Sequence, residues 1–256
     1  RLSIDLCRAT LSNWVLKSAE LLMPFYERLH EHLIRQKILQ ADETTLNVIQ
    51  DGRGAQSKSY MWLYQSGGHE QERPIVLYDY QATRAGQHAV NFLQGFAGYI
   101  QVDGFAGYHA LESDNCHLVG CMAHARRKFD EALKALPIAS RDNKFGMAPT
   151  ALRKFRALYA LEKQFKELTI EQRYLLRQEK SKPLMADLKQ WCDDNVAKTT
   201  KDSLLGKAIR YTINQWDTLV RYLEDGNLQI DNNAAERHIK PFVIGRKNWL
   251  FNQTPR

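Results

Sequence analysis

The sequence predicts an α/β protein built on a mixed sheet, with a long helical insertion. Three short β-rich runs occur between residues 38 and 80, and two further apolar runs alternate with helical segments up to residue 123. Antiparallel strands followed by strands that alternate with helices are typical of a mixed sheet. Beyond residue 125 the strand signals stop, and segment 146–224 shows only helical periodicity.

A helical lead-in, residues 1–37, is predicted to come first. Its apolar side chains recur near the helical period at Leu11, Val15, Leu22, Phe25, Leu29 and Leu33. Pro24 predicts a kink or a restart, because proline removes a backbone donor. The stretch "IDLCRATLSNWV" has the residue order of a recognition helix, but the first helix of a helix-turn-helix is missing. We therefore favour a packing helix here.

The predicted sheet has five strands. The runs "ILQADETTLNVI", "SYMWLYQ" and "PIVLYDY" are separated by Gly- and Asp-containing turn signals, which predicts an antiparallel meander. A short helix around "GQHAVNFLQGF" follows, and then "GYIQVDG" and "CHLVGCMA" are short enough to be buried strands. These strands belong to the first part of the core, residues 38–145.

Three helical stretches are predicted for the insertion, residues 146–224. The first covers 150–178, the second starts at Pro183, and the third is marked by apolar residues from Leu205 to Leu223. "RRKFDEALKAL" precedes them as a helix of the core. The core then resumes at residues 225–256 with its last helix and a basic tail.

Composition favours a globular protein with a polyanionic partner. Hydrophobic residues make up 44% of the 256 residues, the net charge is +7 and the pI is near 9.2. Nucleic acid is the first candidate partner. No apolar run approaches the roughly 18 residues of a membrane span, and the scattered cysteines suit a reducing compartment, so we expect a cytoplasmic, nucleoid-associated protein. Because the chain begins without Met, we also expect a piece of a longer protein.

Three carboxylates are candidates for a shared site. Asp42 lies inside the first predicted strand, where aspartate is disfavoured. Asp103 ends the strand "GYIQVDG", at a sheet edge of the kind where ligand-binding loops gather. Glu236 lies on the helix that follows "IDNNAAE", with Asp231 or Asn232 as the expected N-cap.

Two interpretations of these carboxylates remain open. In the first they are a strand edge, a strand exit and a surface pair of Glu236 with Lys240. In the second they converge on Mg²⁺ or Mn²⁺, two of which promote in-line attack on phosphorus. The basic residues after Glu236 then hold the phosphate backbone: Arg237, Lys240, Arg246 and Lys247.

Four segments of the sequence resemble, in chain order, the catalytic region of the insertion sequence 66 family of bacterial transposases. They are "QADET", "VDGFAGY", "CMAHARRKF" and "DNNAAERHIKPFVIGRKNWLF". The last segment is the most specific, because its Asn-Asn, Glu, Pro-Phe and Gly-Arg-Lys-Asn-Trp elements occur together. The resemblance implies a ribonuclease H-like fold, in which the helical stretch is an insertion before the last catalytic helix.

The same resemblance implies a DDE-type enzyme whose acidic triad falls on Asp42, Asp103 and Glu236, with two Mg²⁺ or Mn²⁺ ions per active site. It implies cleavage of DNA at the ends of a mobile element and transfer of the 3′ ends to target DNA. The implied partners are DNA, a second copy of the chain in a dimer on DNA, and other element-encoded proteins. Longer members carry an N-terminal zinc-binding and DNA-binding region, which we expect to precede this chain.

The segment "CHLVGCMAHARRKF" contains the ligand types of a metal site: Cys116, His117, Cys121 and His124. Its spacing is poor for zinc, because Cys116 and His117 are adjacent and Cys121 lies in a predicted core strand. We expect Cys121 to be buried. Cys121 and His124 together resemble the Cys-x-x-His signature of several transposase groups. This resemblance implies that His124 orients a catalytic carboxylate or contacts the scissile phosphate.

Other functions remain open at this point. Arg126 and Arg127 are either DNA contacts or members of a solvated first helical turn. A non-catalytic DNA-binding or assembly module is one alternative to the enzyme, and a related nuclease that acts on another nucleic acid is a second. Retention of all three carboxylates favours a catalyst over the non-catalytic module.

Overall fold

The computed structural model describes residues 6–54, 57–69, 73–141 and 143–249. The first five residues of the predicted lead-in and the end of the basic tail, 250–256, lie outside them. The described residues contain a five-stranded sheet made of β1 (Ile38–Asn47), β2 (Lys58–Ser66), β3 (Val76–Gln81), β4 (Gly98–Gln101) and β5 (Cys116–Val119), in the order β3-β2-β1-β4-β5. The predicted mixed five-stranded sheet is confirmed.

The strand directions bring three strand ends to one edge of the sheet. β1, β2 and β3 pair antiparallel, as predicted for the meander, whereas β1, β4 and β5 run parallel. Gln40 of β1 is the register partner of Gln101 in β4. Because parallel strands end at the same edge, the residues that follow β1 and β4 lie side by side.

The helices of the described residues surround this sheet. They are α1 (Arg8–Ile34), α2 (Gly86–Phe92), α3 (Met122–Lys134), α4 (Ile138–Arg141), α5 (Met147–Gln164), α6 (Ile170–Leu176), α7 (Lys182–Val196), α8 (Leu204–Asn214), α9 (Trp216–Val220) and α10 (Asn233–Trp249). A five-stranded mixed sheet flanked by helices agrees with the ribonuclease H-like fold that the resemblance implied.

Two details of the predicted helices are wrong. The stretch 150–178 is not one helix, because α5 ends at Gln164 and α6 begins after a capping box formed by Thr169 and Gln172. Pro183 does not start a separate helix either. A π-helical turn, Arg177–Ser181, leads directly into α7, where Pro183 lies in the first turn. The Lys182 backbone N–H donates to the Arg177 carbonyl oxygen, so the helix runs on from the π-helical turn into α7.

Two hydrophobic clusters cover the two faces of the sheet. Leu39 and Ala41 of β1 face the cluster that contains Leu33 of α1, whereas Ile38 faces a cluster with Phe129 of α3. Alternation along a strand explains the division. The second cluster continues through the buried side chains of the insertion: Phe155, Leu158, Met185, Leu188, Ile209 and Leu219. The insertion therefore shares its core with the sheet.

Helix α1 packs only near its end. Leu33 is its one buried residue, and the helix continues through Pro24 without a break. Val15 is 70% exposed and Leu21 is 83% exposed. The first part of α1 is thus a helix, as predicted, but it does not pack on the described residues. No helix of the described residues has the length and apolar content that a membrane span requires.

Candidate active site

Asp42 and Asp103 occupy equivalent places in neighbouring parallel strands. Each follows its glutamine, Gln40 or Gln101, by two residues, and these glutamines are register partners. Side chains two residues apart share a face, and neighbouring strands are about 4.8 Å apart. Asp103 lies just past β4, which ends earlier than predicted, and its Oδ1 accepts the Phe105 backbone N–H at 2.8 Å. The sheet therefore brings both aspartates to one edge.

Glu236 reaches the same edge from the first turn of α10. Asn232, the residue directly before α10, is 1% exposed and donates from Nδ2 to the Ala41 carbonyl oxygen at 2.7 Å. Its side chain therefore ties the start of the helix to β1 beside Asp42. The Asp231 carboxylate accepts the Asn233 backbone N–H at 3.1 Å.

Buried glutamines support the site from within. Gln65 of β2 donates to Gln40 at 2.6 Å, and Gln40 donates to Gln101 at 2.9 Å, so the three amides cross three adjacent strands. Gln101 and Gln40 also donate to the carbonyl oxygen and the side chain of Gln229, at 2.7 and 3.1 Å. Because Gln229 precedes α10, this network fixes the approach of α10 to the strands that carry the aspartates.

The electrostatics of Asp42 indicate a repulsive carboxylate cluster. Burial raises the pKa of Asp42 to about 7, and the charges of Glu43, Asp103 and Glu236 contribute in the same direction. Carboxylates that raise each other's pKa are close in space. A divalent cation relieves this repulsion, and carboxylate oxygens are the ligands that Mg²⁺ and Mn²⁺ prefer. The donor set of Asp42, Asp103 and Glu236 therefore fits the implied ions.

The three carboxylates are not gathered within the coordination sphere of a single ion. Among the described residues, the one group of three His, Cys, Asp or Glu donors that all lie within 4.8 Å is Cys121, His124 and Glu236. At least one pair among the carboxylates of Asp42, Asp103 and Glu236 is therefore further apart.

His124 and Arg127 lie against Glu236. Arg127 Nη2 is 3.1 Å from both Glu236 oxygens, and its Nη1 is 3.3 Å from His124 Nε2. His124 Nδ1 is 3.6 Å from Glu236 Oε1. Burial, followed by the nearby Arg127 charge, lowers the pKa of His124, which favours the neutral ring. His124 thus lies beside a candidate catalytic carboxylate.

The predicted basic residues of α10 divide into two groups. Arg237, Lys240 and Lys247 are exposed, and Lys240 lines a shallow pocket with Asp42, His124, Arg127 and Glu236. Arg246 is different, because its Nη1 donates to Thr44 Oγ1 at 3.0 Å and to the Thr45 carbonyl oxygen. Arg246 therefore holds the end of α10 against β1.

A second, larger depression lies next to the site, between α3 and α5. This α3–α5 cleft has a volume of about 850 Å³, and its basic lining residues are Arg126, Arg127, Lys134 and Arg156. Arg126 lies 5.9 Å above the ring of Tyr159, whose hydroxyl donates to Asp231 at 2.9 Å. Local sequence patterns did not indicate Arg156 and Tyr159, because their position depends on how the insertion docks.

Glu43 is another residue that sequence analysis missed. Its buried carboxylate pairs with Arg84 and accepts the Tyr108 hydroxyl, and Arg84 stacks 3.7 Å above the Phe105 ring. Burial raises the pKa of Glu43. These contacts anchor the segment directly after Asp103 to the strand that holds Asp42. The Gln-x-Asp spacing shared by "LQAD" and "IQVD" was the available sequence signal for equivalent strands.

The cysteines do not form the four-residue metal set. Cys116 begins β5, whereas Cys121 follows its other end as the N-cap residue of α3. The predicted placement of Cys121 in a strand is wrong, since β5 ends at Val119, but its burial is confirmed at 1% exposure. His117 lies 3.8 Å from Glu112. Only Cys121 and His124 of the set face the candidate site.

Comparison with known proteins gives a family match over the whole chain. The model of the transposase IS66 family matches residues 1–256. The uncharacterized protein y4hP of Sinorhizobium fredii is 30% identical over 269 residues, which cover 99% of this chain and 48% of that protein. The uncharacterized protein y4qI of the same organism is 31% identical over 262 residues, with coverages of 97% and 47%. The chain spans about half the length of these curated relatives.

Proposed function

The chain belongs to the IS66 family of transposases, and from this premise we propose that it is a catalytic core that hydrolyses DNA phosphodiester bonds at transposon ends and transfers the 3′ ends to target DNA. The observation that carries the proposal is the register of β1 with β4. It sets Asp42 beside Asp103, and Asn232 holds the helix of Glu236 against β1.

Asp42, Asp103 and Glu236 are the proposed metal-binding residues. These residues would hold Mg²⁺ or Mn²⁺, which would supply activation of the attacking oxygen and stabilisation of the leaving oxygen at phosphorus. Because burial raises the pKa of Asp42 to about 7, binding of a cation would displace a proton from this carboxyl group in part of the molecules near neutral pH. His124, neutral and next to Glu236, orients that carboxylate.

The cationic side chains around the carboxylates are the proposed DNA contacts. Arg237, Lys240 and Lys247 extend along α10, and Arg126 and Arg127 lie at the mouth of the α3–α5 cleft. Such residues bind phosphates and position the strand without reading its sequence. In this proposal Arg127 pairs with Glu236 in the free protein and turns to a phosphate when DNA binds.

The proposed assembly is a dimer on DNA, because transposition joins two element ends to one target. Other element-encoded proteins are further proposed partners. Light scattering with and without a DNA duplex that carries an element end tests the assembly. A complex that contains a single copy of the chain at all protein concentrations would contradict it.

An Asp103→Asn variant tests the proposed chemistry. We expect it to lose Mg²⁺-dependent nicking of a DNA duplex by at least about a hundredfold, because a metal ligand is removed, and to retain DNA binding, which rests on Lys and Arg. Asp217→Asn, which changes an exposed carboxylate on α9, is the matched control and should nick at the parental rate.

Calorimetric titration with Mn²⁺ separates the enzyme from a non-catalytic DNA-binding module. Heat of binding that disappears in Asp103→Asn supports the enzyme. Equal nicking by the parent and Asp103→Asn would remove this aspartate from the chemistry. Preferential cleavage of RNA–DNA hybrids would instead support a nuclease with another substrate.

A further inference from the structure

A second group of metal ligands lies beside the carboxylate cluster. Cys121 Sγ, one ring nitrogen of His124 and a Glu236 carboxylate oxygen all lie within 4.8 Å of one another. We propose that these three residues form a separate site for a borderline-soft divalent metal such as Zn²⁺, Co²⁺ or Cd²⁺. Occupation of this site takes Glu236 away from Asp42 and Asp103 and thereby blocks the Mg²⁺-dependent reaction.

Cys121 is placed as a metal ligand by the start of α3. It is the N-cap residue of this helix, and its Sγ accepts the Asn232 backbone N–H at 3.2 Å. Burial raises the pKa of the Cys121 thiol to about 12, although the Asn232 donor acts in the opposite direction, so a bound metal has to displace the thiol proton. The same Asn232 ties α10 to β1. The sulfur and the Glu236 helix are therefore held in one rigid arrangement.

His124 contributes an open ring nitrogen. Its Nδ1 is buried and has no hydrogen-bond partner among the described residues, and it lies 3.6 Å from Glu236 Oε1. Buried polar atoms without a partner are rare, and they often mark the place of an ion or a water molecule. Since α3 carries both Cys121 and His124, one turn of helix fixes their separation.

Arg127 competes with a metal for this site. Its guanidinium bonds both Glu236 oxygens and lies 3.3 Å from His124 Nε2. Because Arg127 donates to Nε2, the ring proton of His124 lies on Nδ1. A metal therefore binds Nδ1 only after Arg127 turns away and this proton leaves. Arg127→Ala should therefore strengthen metal binding.

The donor types select the metal. Thiolate, imidazole and carboxylate with an open fourth position match the three-ligand zinc sites of proteins, whereas Mg²⁺ prefers oxygen ligands alone. Binding of Zn²⁺ here does not depend on the proposed function. The inhibition does rest on it, because the inhibited step is the proposed Mg²⁺-dependent cleavage.

Co²⁺ titration in a Cys7→Ser background tests the site directly, because that background removes the exposed thiol. We expect a near-ultraviolet thiolate-to-cobalt absorption band that Zn²⁺ abolishes and excess Mg²⁺ does not. Cys121→Ser should lose the band, whereas Cys116→Ser, the buried-cysteine control at the far end of β5, should keep it. Circular dichroism verifies that each variant is folded.

Two further variants keep the test decisive if Cys121→Ser does not fold. His124→Asn should weaken Co²⁺ binding at least about tenfold, and Arg127→Ala should strengthen it. Absence of the band in the Cys7→Ser protein, its survival in Cys121→Ser or unchanged affinity in His124→Asn would overturn the site. A band without any Mg²⁺-dependent nicking would leave the site standing and reject the proposed function. Nicking that Zn²⁺ inhibits in the parent but not in Cys121→Ser completes the support.

Discussion

At the scale of single residues, Asp42 shows a conflict between stability and metal binding. Its side chain is largely buried beside three other carboxylates, which raises its pKa to about 7. An ordinary aspartate would be fully ionised at neutral pH. The ion-free protein thus keeps a group that resists ionisation at the place where a cation is expected to compensate for the charge.

Asp42→Asn should therefore stabilise the ion-free protein at high pH. The unfolded chain ionises Asp42 near pH 4, whereas the folded chain retains the proton up to about pH 7. Between these values the unfolded state binds fewer protons, so the free energy of unfolding of the parent falls as the pH rises. We expect a gain of roughly 2–4 kcal/mol for Asp42→Asn above pH 7 and a small difference near pH 4.

Urea unfolding in a chelator at several pH values measures this difference. Addition of Mg²⁺ is the control, because it should stabilise the parent and not Asp42→Asn. A difference that does not change with pH would show that the carboxylate of Asp42 is not destabilised by its surroundings.

At the scale of single elements, the start of α10 is fixed by one side chain. Asn232 is buried and bonds the Ala41 carbonyl oxygen, while its backbone N–H bonds Cys121 Sγ. Asn232→Ala leaves a buried carbonyl oxygen unpaired, which costs about 1–3 kcal/mol. It should also reduce nicking more than DNA binding, because Glu236 loses its position.

Measurement of nicking rate, DNA affinity and urea stability on the same preparation separates these effects for Asn232→Ala. Asn214→Ala, at the exposed end of α8, is the control and should match the parent in all three. Equal losses of DNA affinity and nicking in Asn232→Ala would argue that the residue supports the fold and not the site.

The insertion is held to the core by a buried guanidinium. Arg177, in the π-helical turn, bonds both Glu162 oxygens and the carbonyl oxygens of Tyr222, Asp225 and Leu228. Arg177→Met leaves the Glu162 carboxylate uncompensated, so we expect a loss of about 3–5 kcal/mol. The double variant Arg177→Met with Glu162→Leu should lose less, because no lone buried charge remains. Urea unfolding compares the three proteins, and a double variant that is less stable than the single one would contradict this explanation.

Local patterns predicted the strands and the long helices, because alternation and helical period are properties of short segments. They also indicated Asp42 inside a predicted strand, where aspartate is disfavoured, and Asp103 at the end of another predicted strand. They did not reveal that Cys121 and His124 lie against Glu236, because more than a hundred residues separate them along the chain. The same limit applies to Arg246, whose partners Thr44 and Thr45 belong to the first strand.

At the scale of the whole molecule, the insertion and the sheet form one body with a basic cleft at their junction. Ile38 and Met122 share a cluster with Phe155 of α5, so α5 is docked firmly beside the carboxylates. Tyr211 of α8 approaches Gly104, where an added Cβ would lie 2.5 Å from its hydroxyl oxygen. The insertion therefore shapes the loop after Asp103 as well as the α3–α5 cleft.

The α3–α5 cleft predicts a path for DNA. One wall of this cleft comes from the insertion, so the path exists only when the insertion is docked on the core. Arg156 is exposed in the cleft and projects from the insertion, whereas Arg126 projects from the core on the opposite wall. If a DNA strand leaves the carboxylate cluster through this cleft, both side chains contact phosphates. Arg156→Ala should then weaken binding similarly for all sequences, and it should reduce the slope of log K against log salt by about 1.

Fluorescence anisotropy with a labelled duplex over a range of salt concentrations measures this slope. Lys163→Ala changes an exposed cation on the same helix outside the cleft, so it removes the same charge and should leave the slope unchanged. Equal effects of Arg156→Ala and Lys163→Ala would mean that net charge alone attracts the DNA. A reduced slope in Arg156→Ala alone places the strand between the two walls, because a phosphate contact is lost only where the backbone passes.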